Sequence, residues 1–193
     1  NPGSRFFDSR LGQSTTLTGR CIAKHMASEL NKVIAGEYNH VGEAIVYGDT
    51  DSAYFSAFPV LKEDIRKGEV DWSKDNIIAY YDAVCEEVNK TFPRFMNTAF
   101  HCTTELGQII AAGRETVGEA GIFITKKRYA ILVFDDEGKR TDVDGKPGKI
   151  KAMGLDLKRS DTPAFMQDFL SEVLLKTLTG SEEQEVLDRI IEF

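Results

Sequence analysis

The stretch Tyr47-Gly48-Asp49-Thr50-Asp51-Ser52 separates two short apolar segments, and it decides how this part of the chain folds. The segment before it, Ala44 to Tyr47, is too short for a helix and is rich in residues that favour strands. The segment after it, Ser52 to Ala57, has the same character. The pattern predicts a β-hairpin whose tip carries carboxylates.

The two carboxylates of this stretch, Asp49 and Asp51, are two positions apart. In an extended chain, residues i and i+2 project to the same side, roughly 6–7 Å apart, so both carboxylates can face one metal site. Hard divalent cations such as magnesium prefer oxygen ligands, and phosphoryl transfer commonly uses two such ions about 3.5–4 Å apart. Gly48 leaves room for close approach at the turn. The same spacing also occurs in exposed turns without chemical function, so other parts of the chain are needed for the assignment.

Periodic apolar residues predict further elements on both sides of the hairpin. The predicted helices are one from Ser14 or Thr15 to about Ile34, one from about Asp75 to Thr91 with another turn at Pro93, one from Asp161-Thr162-Pro163 to Gly180, and one after it. The predicted strands are Ile109 to Ala112, Gly121 to Thr125, Arg128 to Phe134 and Lys149 to Leu155, and a polar stretch runs from Lys62 to Lys74. This order predicts an α+β fold in which helices pack on an antiparallel sheet and a helical extension follows.

The charge of the chain is unevenly distributed. The net charge is −7, but Lys126 to Arg159 contains ten basic and six acidic residues, a local balance of +4 that leaves −11 for the remainder. A basic stretch beside an acidic body suits a protein that holds a polyanion and concentrates carboxylates around metal ions, although a solvated surface has the same composition.

Several other protein classes are disfavoured by the sequence. No apolar run approaches the ~20 residues that span a bilayer, and no signal peptide opens the chain, so a cytoplasmic protein without membrane contact is expected. Three cysteines without C-x-x-C spacing indicate neither a disulfide framework nor a structural zinc site. The histidines show no ligand spacing and are expected to be surface or packed residues: His25, His40 and His101.

The hairpin motif has a counterpart in a known family. The string from Tyr47 to Ser52 resembles, at every position, the third polymerase signature of family B DNA polymerases, commonly written Y-G-D-T-D-S. Other segments resemble the family in the same order, and the tailed-phage type fits best. They are Arg5-Phe6-Phe7-Asp8 after the fingers helix, Gly113-Arg114-Glu115 near the carboxylate cluster, Thr125-Lys126-Lys127-Arg128-Tyr129 as the K-K-R-Y segment, and Met153-Gly154-Leu155 with Arg159 to Pro163 at the junction of palm and thumb.

The resemblance implies a catalytic role for the hairpin tip, with two Mg²⁺ ions as cofactors. Asp51 would be the principal metal ligand and Asp49 the supporting carboxylate. Glu115 would lie at the edge of this cluster, where tailed-phage relatives have a second carboxylate at the position of Gly113. The residues that would shape the turn are Tyr47, Gly48, Thr50 and Ser52.

The resemblance also implies contact with a primer-template duplex by Lys126, Lys127, Arg128 and Tyr129. Lysine and arginine neutralise phosphates or donate to minor-groove acceptors, and tyrosine adds a phosphate hydrogen bond. Without the neighbouring motif, the same four residues would be interpreted as a basic hairpin edge in solvent.

The implied architecture is a polymerase palm over residues 1–160, of which roughly the first 12 belong to the fingers-to-palm segment, and the helical start of the thumb over residues 161–193. The implied partners are primer-template DNA, deoxynucleotide triphosphates, the remaining exonuclease, fingers and thumb parts of the polymerase, and a sliding clamp. The implied location is the cytoplasm, which is that of a host if the protein is viral.

The sequence contains neither the family's first signature, which supplies the other essential aspartate, nor its second, whose lysine binds the incoming triphosphate. It contains no 3′–5′ exonuclease segment, Asn1 is not an initiator methionine, and Phe193 lies in a helical pattern. We therefore expect a fragment that is inactive by itself. Its parent would be a DNA-directed DNA polymerase, a nucleotidyltransferase that extends a primer 3′-hydroxyl by a two-metal mechanism.

Two alternatives stay open at this stage. A non-enzymatic nucleic-acid-binding module would use Lys126 to Tyr129, and the aspartates would form a turn without chemical function. Another palm-type nucleotidyltransferase, such as a primase or reverse transcriptase, is disfavoured by the complete Y-G-D-T-D-S string together with K-K-R-Y.

Overall fold

The computed structural model describes residue 3, residue 5 and residues 8–193, without the side chain of Thr104, and the chain forms two compact units, Asn1–Gly113 and Arg114–Phe193. Positions 6 and 7 of the motif at Arg5 lie outside the described residues. The predicted combination of helices with antiparallel strands is confirmed. The predicted end of the palm at residue 160 is a functional boundary and stays a prediction.

The first unit contains five helices and a two-stranded antiparallel hairpin among its described residues. The elements are α1 (Ser9–Ala35), β1 (Ile45–Asp49), β2 (Ser52–Phe55), α2 (Phe58–Lys67), α3 (Lys74–Asn89), α4 (Phe92–Phe100) and α5 (Thr104–Gly107). The predicted hairpin, the helix that became α3 and the further helical turn at Pro93 are all confirmed.

Helix α1 begins five residues before the predicted start at Ser14. Asp8 is its N-cap, and the carboxylate of Asp8 accepts a hydrogen bond from the backbone N–H of Arg10 at 2.9 Å. The hydroxyl of Thr15 donates instead to the carbonyl of Leu11, at 3.0 Å, inside the helix. The prediction was wrong because a capping residue further upstream satisfies the first N–H groups of the helix.

The core of the first unit joins α1, α3 and both ends of the hairpin. Its buried residues are Leu30, Ile34, Ala44, Ala57, Val84, Val88 and Phe92. Three residues that the apolar spacing placed on the buried face of α1, Leu17, Cys21 and Val33, are exposed, so the predicted face was only partly correct. Leu17 and Cys21 lie in the first half of α1, where nearly all residues are exposed.

Asn31 fixes the start of the hairpin to α1. Its side chain is fully buried, and its Oδ1 accepts from the backbone N–H of Ala44 at 3.0 Å. Its Nδ2 donates to the carbonyl of Glu37 at 2.8 Å. These two bonds hold the loop between α1 and β1, and therefore they set where β1 begins.

The polar stretch from Lys62 to Lys74 was not predicted to be helical, yet helix α2 covers its first half. Pro59 lies in the first turn, where a missing N–H does no harm, and Gly68 ends the helix with a φ of 77°. Both signals are present in the sequence, and the polar composition concealed them.

The predicted strand from Ile109 to Ala112 is not a strand in the structure. The side chain of Asn89 takes the place of a partner strand, because its Nδ2 donates to the carbonyl of Ala112 at 2.9 Å and its Oδ1 accepts from the N–H of Ala112 at 2.6 Å. Ile109 lies in a turn, and Ala112 is bonded to a helix side chain rather than to a sheet.

The second unit is a four-stranded antiparallel sheet with two helices. The elements are β3 (Thr116–Thr125), β4 (Arg128–Asp136), β5 (Lys139–Arg140), β6 (Lys149–Met153), a short 3₁₀ turn (Asp156–Lys158), α6 (Ala164–Leu178) and α7 (Glu183–Glu192). Strand β4 is central, because β3, β5 and β6 all pair with it. Its burial along nearly its whole length explains its continuous apolar run.

The core of the second unit forms where the sheet meets α6. Ala130, Leu132 and Leu178 are its buried residues, with Ile150 and Leu174 packed against them. Pro163 is the N-cap of α6 rather than its first helical residue, a shift of one position from the prediction. None of the described helices of either unit is long and apolar enough to cross a lipid bilayer.

Candidate active site and nucleic-acid contact surface

The hairpin Ile45–Phe55, which we call the acidic hairpin, places Thr50 and Asp51 in its loop. Asp49 and Ser52 are the last paired residues, so the loop has two residues. Thr50 adopts a left-handed conformation with a φ of 50°. The loop therefore turns between the two aspartates, and the extended-chain argument for their common direction does not apply at this position.

The two aspartates of the tip have different surroundings. Asp49 is half-buried on the side of β1 that also carries Ile45 and Tyr47, whereas Asp51 is exposed at the loop. Asp49 accepts from the Thr50 hydroxyl at 3.2 Å, and the Ser52 hydroxyl donates to the Asp49 carbonyl at 3.1 Å. The local bonds thus shape the turn around Asp49 and leave the Asp51 carboxylate at the surface.

Tyr47 and Gly48 have different structural roles in the hairpin. The rings of Tyr47 and Tyr54, which are directly paired across the strands, lie 5.7 Å apart. A Cβ added to Gly48 would come no closer than 3.6 Å to the Ser52 carbonyl, which is ordinary van der Waals contact. The hairpin itself therefore does not require glycine at position 48.

The donor set of the tip consists of carboxylate oxygens, which are the ligands that Mg²⁺ and similar hard cations prefer. Within the described part of the chain, no three His, Cys, Asp or Glu side chains come together closely enough to hold a metal ion. Asp49 and Asp51 fit a divalent cation chemically, but they supply only part of a coordination shell.

The turn between β3 and β4, Thr125–Arg128, is the second candidate region, and we call it the basic turn. Thr125 pairs with Arg128, so Lys126 and Lys127 form a two-residue connection. Lys126, Lys127 and Arg128 are exposed, and Lys127 has a φ of 61°. Three adjacent cationic side chains at a protruding turn can approach the phosphates of a nucleic acid.

Tyr129 differs from its three basic neighbours. Only 3% of its surface is exposed, and its ring stacks on Phe123 with centroids 5.4 Å apart. In this structure Tyr129 stiffens the base of the turn. Its predicted hydrogen bond to a phosphate stays a prediction.

Glu115 lies in the second unit just before β3. Its side chain is 72% exposed, and its carboxylate is 3.5 Å from the Lys151 ammonium. Its backbone carbonyl accepts from the N–H of Glu137 at 2.6 Å. Its predicted place at the edge of a carboxylate cluster with Asp51 is not tested by the fold of either unit and stays a prediction.

A buried ion pair beside Glu115 was not predicted from the sequence. Arg114 and Asp135 bind each other with both side chains nearly fully buried, and Asp135 also accepts from the N–H of Gly138 at 3.1 Å. The partners are separated by twenty-one positions, and an aspartate in a run of turn-forming residues gives no signal of such a pair.

His25 is a packed residue, one of the two outcomes expected for the histidines. Its Nδ1 is 2.9 Å from the Tyr38 hydroxyl and its Nε2 is 3.0 Å from the Thr91 hydroxyl. Its ring stacks on Phe95 with centroids 3.9 Å apart. Burial is the main cause that lowers the pKa of His25, so the neutral imidazole is the form that suits this site.

Comparison with known proteins gives consistent relatives, although no family model matches the chain. The chain is 30% identical over 191 residues to the DNA-directed DNA polymerase of Escherichia phage RB69, covering 92% of this chain and 20% of that protein. It is 28% identical over 196 residues to the DNA-directed DNA polymerase of Enterobacteria phage T4, covering 93% of this chain and 20% of that protein. A third relative, DNA polymerase 037L of Invertebrate iridescent virus 6, is 26% identical over 153 residues, which are 79% of this chain and 11% of that protein.

The chain thus spans about a fifth of the length of the two phage relatives. The match extends over nearly the whole chain and therefore includes both the acidic hairpin and the basic turn. The predicted relationship to DNA polymerases of phages is confirmed by these relatives.

Proposed function

We propose, from the relationship of this chain to the DNA-directed DNA polymerases, that it is the palm and the start of the thumb of a family B polymerase. In the complete enzyme it would carry half of the catalytic carboxylates and part of the primer-template contact. By itself the chain would be inactive, because the other essential aspartate and the triphosphate-binding lysine belong to signatures that this sequence does not contain.

The observation that carries the proposal is the tip of the acidic hairpin. A two-residue loop, flanked by paired tyrosines, displays Asp51 at the surface beside a half-buried Asp49. In phosphoryl transfer, a pair of divalent cations lowers the barrier by stabilising the charge on the attacking and leaving oxygens. Asp51 would hold such ions directly, and Asp49 would support them from the side of the strand.

The glycine at position 48 adds to this argument. The fold leaves space for a side chain there, since an added Cβ would make only an ordinary contact. A residue without a side chain keeps the strand next to Asp49 open to the triphosphate and the primer end. Approach of a substrate is thus a reason for Gly48 that the hairpin alone does not provide.

The basic turn supplies the complementary contact. Lys126 and Lys127 are exposed and cationic, so they suit the primer-template backbone, whose binding then depends on salt. The partners in the complete enzyme would be primer-template DNA, deoxynucleotide triphosphates, the exonuclease, fingers and remaining thumb, and a sliding clamp. The place of action would be the cytoplasm of the host, as expected for relatives from phages and a virus.

Primer extension by the complete polymerase tests this function. Asp51→Asn should abolish detectable template-directed extension, while Glu69→Gln, which removes one negative charge from an exposed position of the same unit, should leave it intact. Extension by Asp51→Asn at the parental level would reject the assignment. Metal-independent DNA binding without any extension by the complete parent would favour the non-enzymatic module instead.

A further inference from the structure

The last residue pair of β4 and β6 lies directly beside the basic turn. Tyr129 pairs with Met153, so Gly154 follows one position beyond, at the level of Arg128. Gly154 has a φ of 64°, and a Cβ added to it would lie 2.2 Å from the carbonyl oxygen of Lys127. No side chain fits in this space, because the contact is with backbone rather than with a flexible side chain.

The side chain of Arg128 also contacts Gly154. Its Nε donates to the Gly154 carbonyl at 3.1 Å, and its Cγ would be 3.1 Å from a Cβ at Gly154. The guanidinium is therefore engaged by the backbone of the neighbouring strand end. This geometry differs from that of an arginine whose planar fork points at a phosphate.

Lys127, the residue that Gly154 contacts, has a conformation that side chains adopt only rarely. Its φ of 61° lies in the left-handed region, where a non-glycine residue is strained unless its surroundings hold it. The Gly154 backbone lies against the Lys127 carbonyl, and Arg128 ties the two strands together. The strained residue is also one of the two loop residues that display a cationic side chain.

We infer that Gly154 and Arg128 are positioning residues for the primer-template contact, and that they hold Lys126 and Lys127 in the conformation that meets the DNA backbone. The inference rests on the proposed function. It divides the basic segment into two lysines that contact DNA and an arginine that acts through the shape of the turn. It also gives Met153-Gly154-Leu155 a role in DNA binding, although these residues lie outside the turn.

Gly154→Ala in the complete polymerase tests the inference, with Gly145→Ala as the matched control. Gly145 also has a positive φ, of 73°, but no atom lies within 4 Å of an added Cβ, so the control reproduces the backbone strain without the clash. Primer-template affinity of Gly154→Ala should fall by about tenfold, and the slope of log K against log salt should decrease by about one to two, since one or two phosphate contacts are lost. Gly145→Ala should bind DNA like the parent.

A double-mutant cycle separates positioning from a general loss of structure. In a background of Lys126→Ala and Lys127→Ala, adding Gly154→Ala should change DNA affinity by less than about twofold, because the contacts through which Gly154 acts are already gone. If the two effects simply add, or if Gly154→Ala and Gly145→Ala bind DNA equally well, the inference is wrong.

Arg128→Lys provides the second variant and remains informative if Gly154→Ala does not fold. It keeps the charge but loses the Nε–H that bonds to Gly154. If Arg128 acts through the turn, affinity should fall by about tenfold in the parent but by less than about twofold in the background of Lys126→Ala and Lys127→Ala. An equal loss in both backgrounds would mark Arg128 as a phosphate ligand itself and would contradict the inference. Primer extension by the unmodified parent keeps this failure distinct from a failure of the proposed function.

Discussion

The acidic hairpin and the basic turn are both two-residue connections between antiparallel strands, and they carry opposite charges. Each joins two antiparallel strands by two residues, and each places a non-glycine residue in the left-handed region, Thr50 at a φ of 50° and Lys127 at 61°. The tip of the acidic hairpin is shaped by hydrogen bonds from its own neighbours in sequence. The basic turn is held by a strand end about twenty-seven positions further along the chain.

The two turns therefore differ in which residues hold their conformation. A turn shaped by adjacent residues can be recognised from a short motif, and it tolerates change elsewhere in the chain. A turn held from a distance depends on the register of another strand. The two regions should therefore respond differently to mutation.

Asp51→Asn should have the largest effect. The amide keeps the size of the side chain but removes a negative charge where two divalent cations would repel each other. We expect the single-turnover incorporation rate of the complete polymerase to fall by at least roughly a thousandfold, or about 4 kcal/mol of barrier. Asp49→Asn should slow the reaction less, and an equal or larger loss with Asp49→Asn would reverse the assigned roles.

Asn31→Ala should weaken the support of the acidic hairpin. It leaves the buried N–H of Ala44 and the carbonyl of Glu37 without their side-chain partner. We expect the free energy of unfolding of the purified chain to decrease by about 2–3 kcal/mol. Urea unfolding of Asn31→Ala beside Asn97→Ala, an exchange of an exposed asparagine of the same unit, measures this, and equal stabilities for the two variants would show that Asn31 does not hold the hairpin.

Lys127→Ala should leave the rate of nucleotide incorporation almost unchanged and should weaken the binding of primer-template DNA. Loss of one phosphate contact should reduce primer-template affinity severalfold and flatten the salt dependence by about one unit of slope. Fluorescence anisotropy at several salt concentrations measures both the affinity and the slope of its salt dependence. Exposed Lys139→Ala, in the same unit, is the control. A parental slope for Lys127→Ala would mean that this lysine does not meet a phosphate.

His25 should make the first unit sensitive to acid. Because burial lowers its pKa below the ordinary value of 6.5, the unfolded chain binds the proton more readily in the interval between the folded and unfolded pKa values. The stabilising contribution is complete above about pH 6.5 and is lost as the pH falls towards the folded pKa. Glu29, which opposes this shift, and Lys32, which adds to it, are the charged groups that act on the imidazole.

Urea unfolding between pH 5 and pH 7.5 checks the histidine prediction. His25→Gln should be less stable than the parent at neutral pH but should lose less stability on acidification. His40→Gln, at an exposed position, should follow the parent at every pH. If the parent and His25→Gln lose the same stability on acidification, His25 is not the responsible group.

The elements that the sequence predicted correctly are those whose conformation is determined by residues close to them in the chain. The hairpin, α3, the second half of β3 and the strands β4 and β6 follow from apolar periodicity and from turn residues at their ends. Helix α2 was missed because its polar composition concealed both a proline start and a glycine stop. The strand expected at Ile109 is absent because a side chain, Asn89, bonds the segment in place of a strand.

The residues of the candidate site also fall into two groups, those that a local motif predicted and those that it did not. The carboxylates at the hairpin tip and the exposed lysines follow from contiguous motifs. The buried Tyr129, the Arg114–Asp135 pair and the Gly154 contact depend on residues that meet only after the sheet has formed. A one-dimensional pattern lists residue types, but register decides which backbone atoms they meet.

Magnesium dependence of single-turnover incorporation tests the central claim most directly. The complete polymerase, Asp51→Asn and Lys127→Ala would each be bound to saturating primer-template and triphosphate, and the rate would be followed as Mg²⁺ is increased. We expect Asp51→Asn to shift the half-saturating Mg²⁺ concentration upwards and to stay far below the parental rate. Lys127→Ala should retain the parental Mg²⁺ dependence once DNA is saturating. A parental rate and a parental Mg²⁺ dependence for Asp51→Asn would show that the tip of the acidic hairpin is not the catalytic centre.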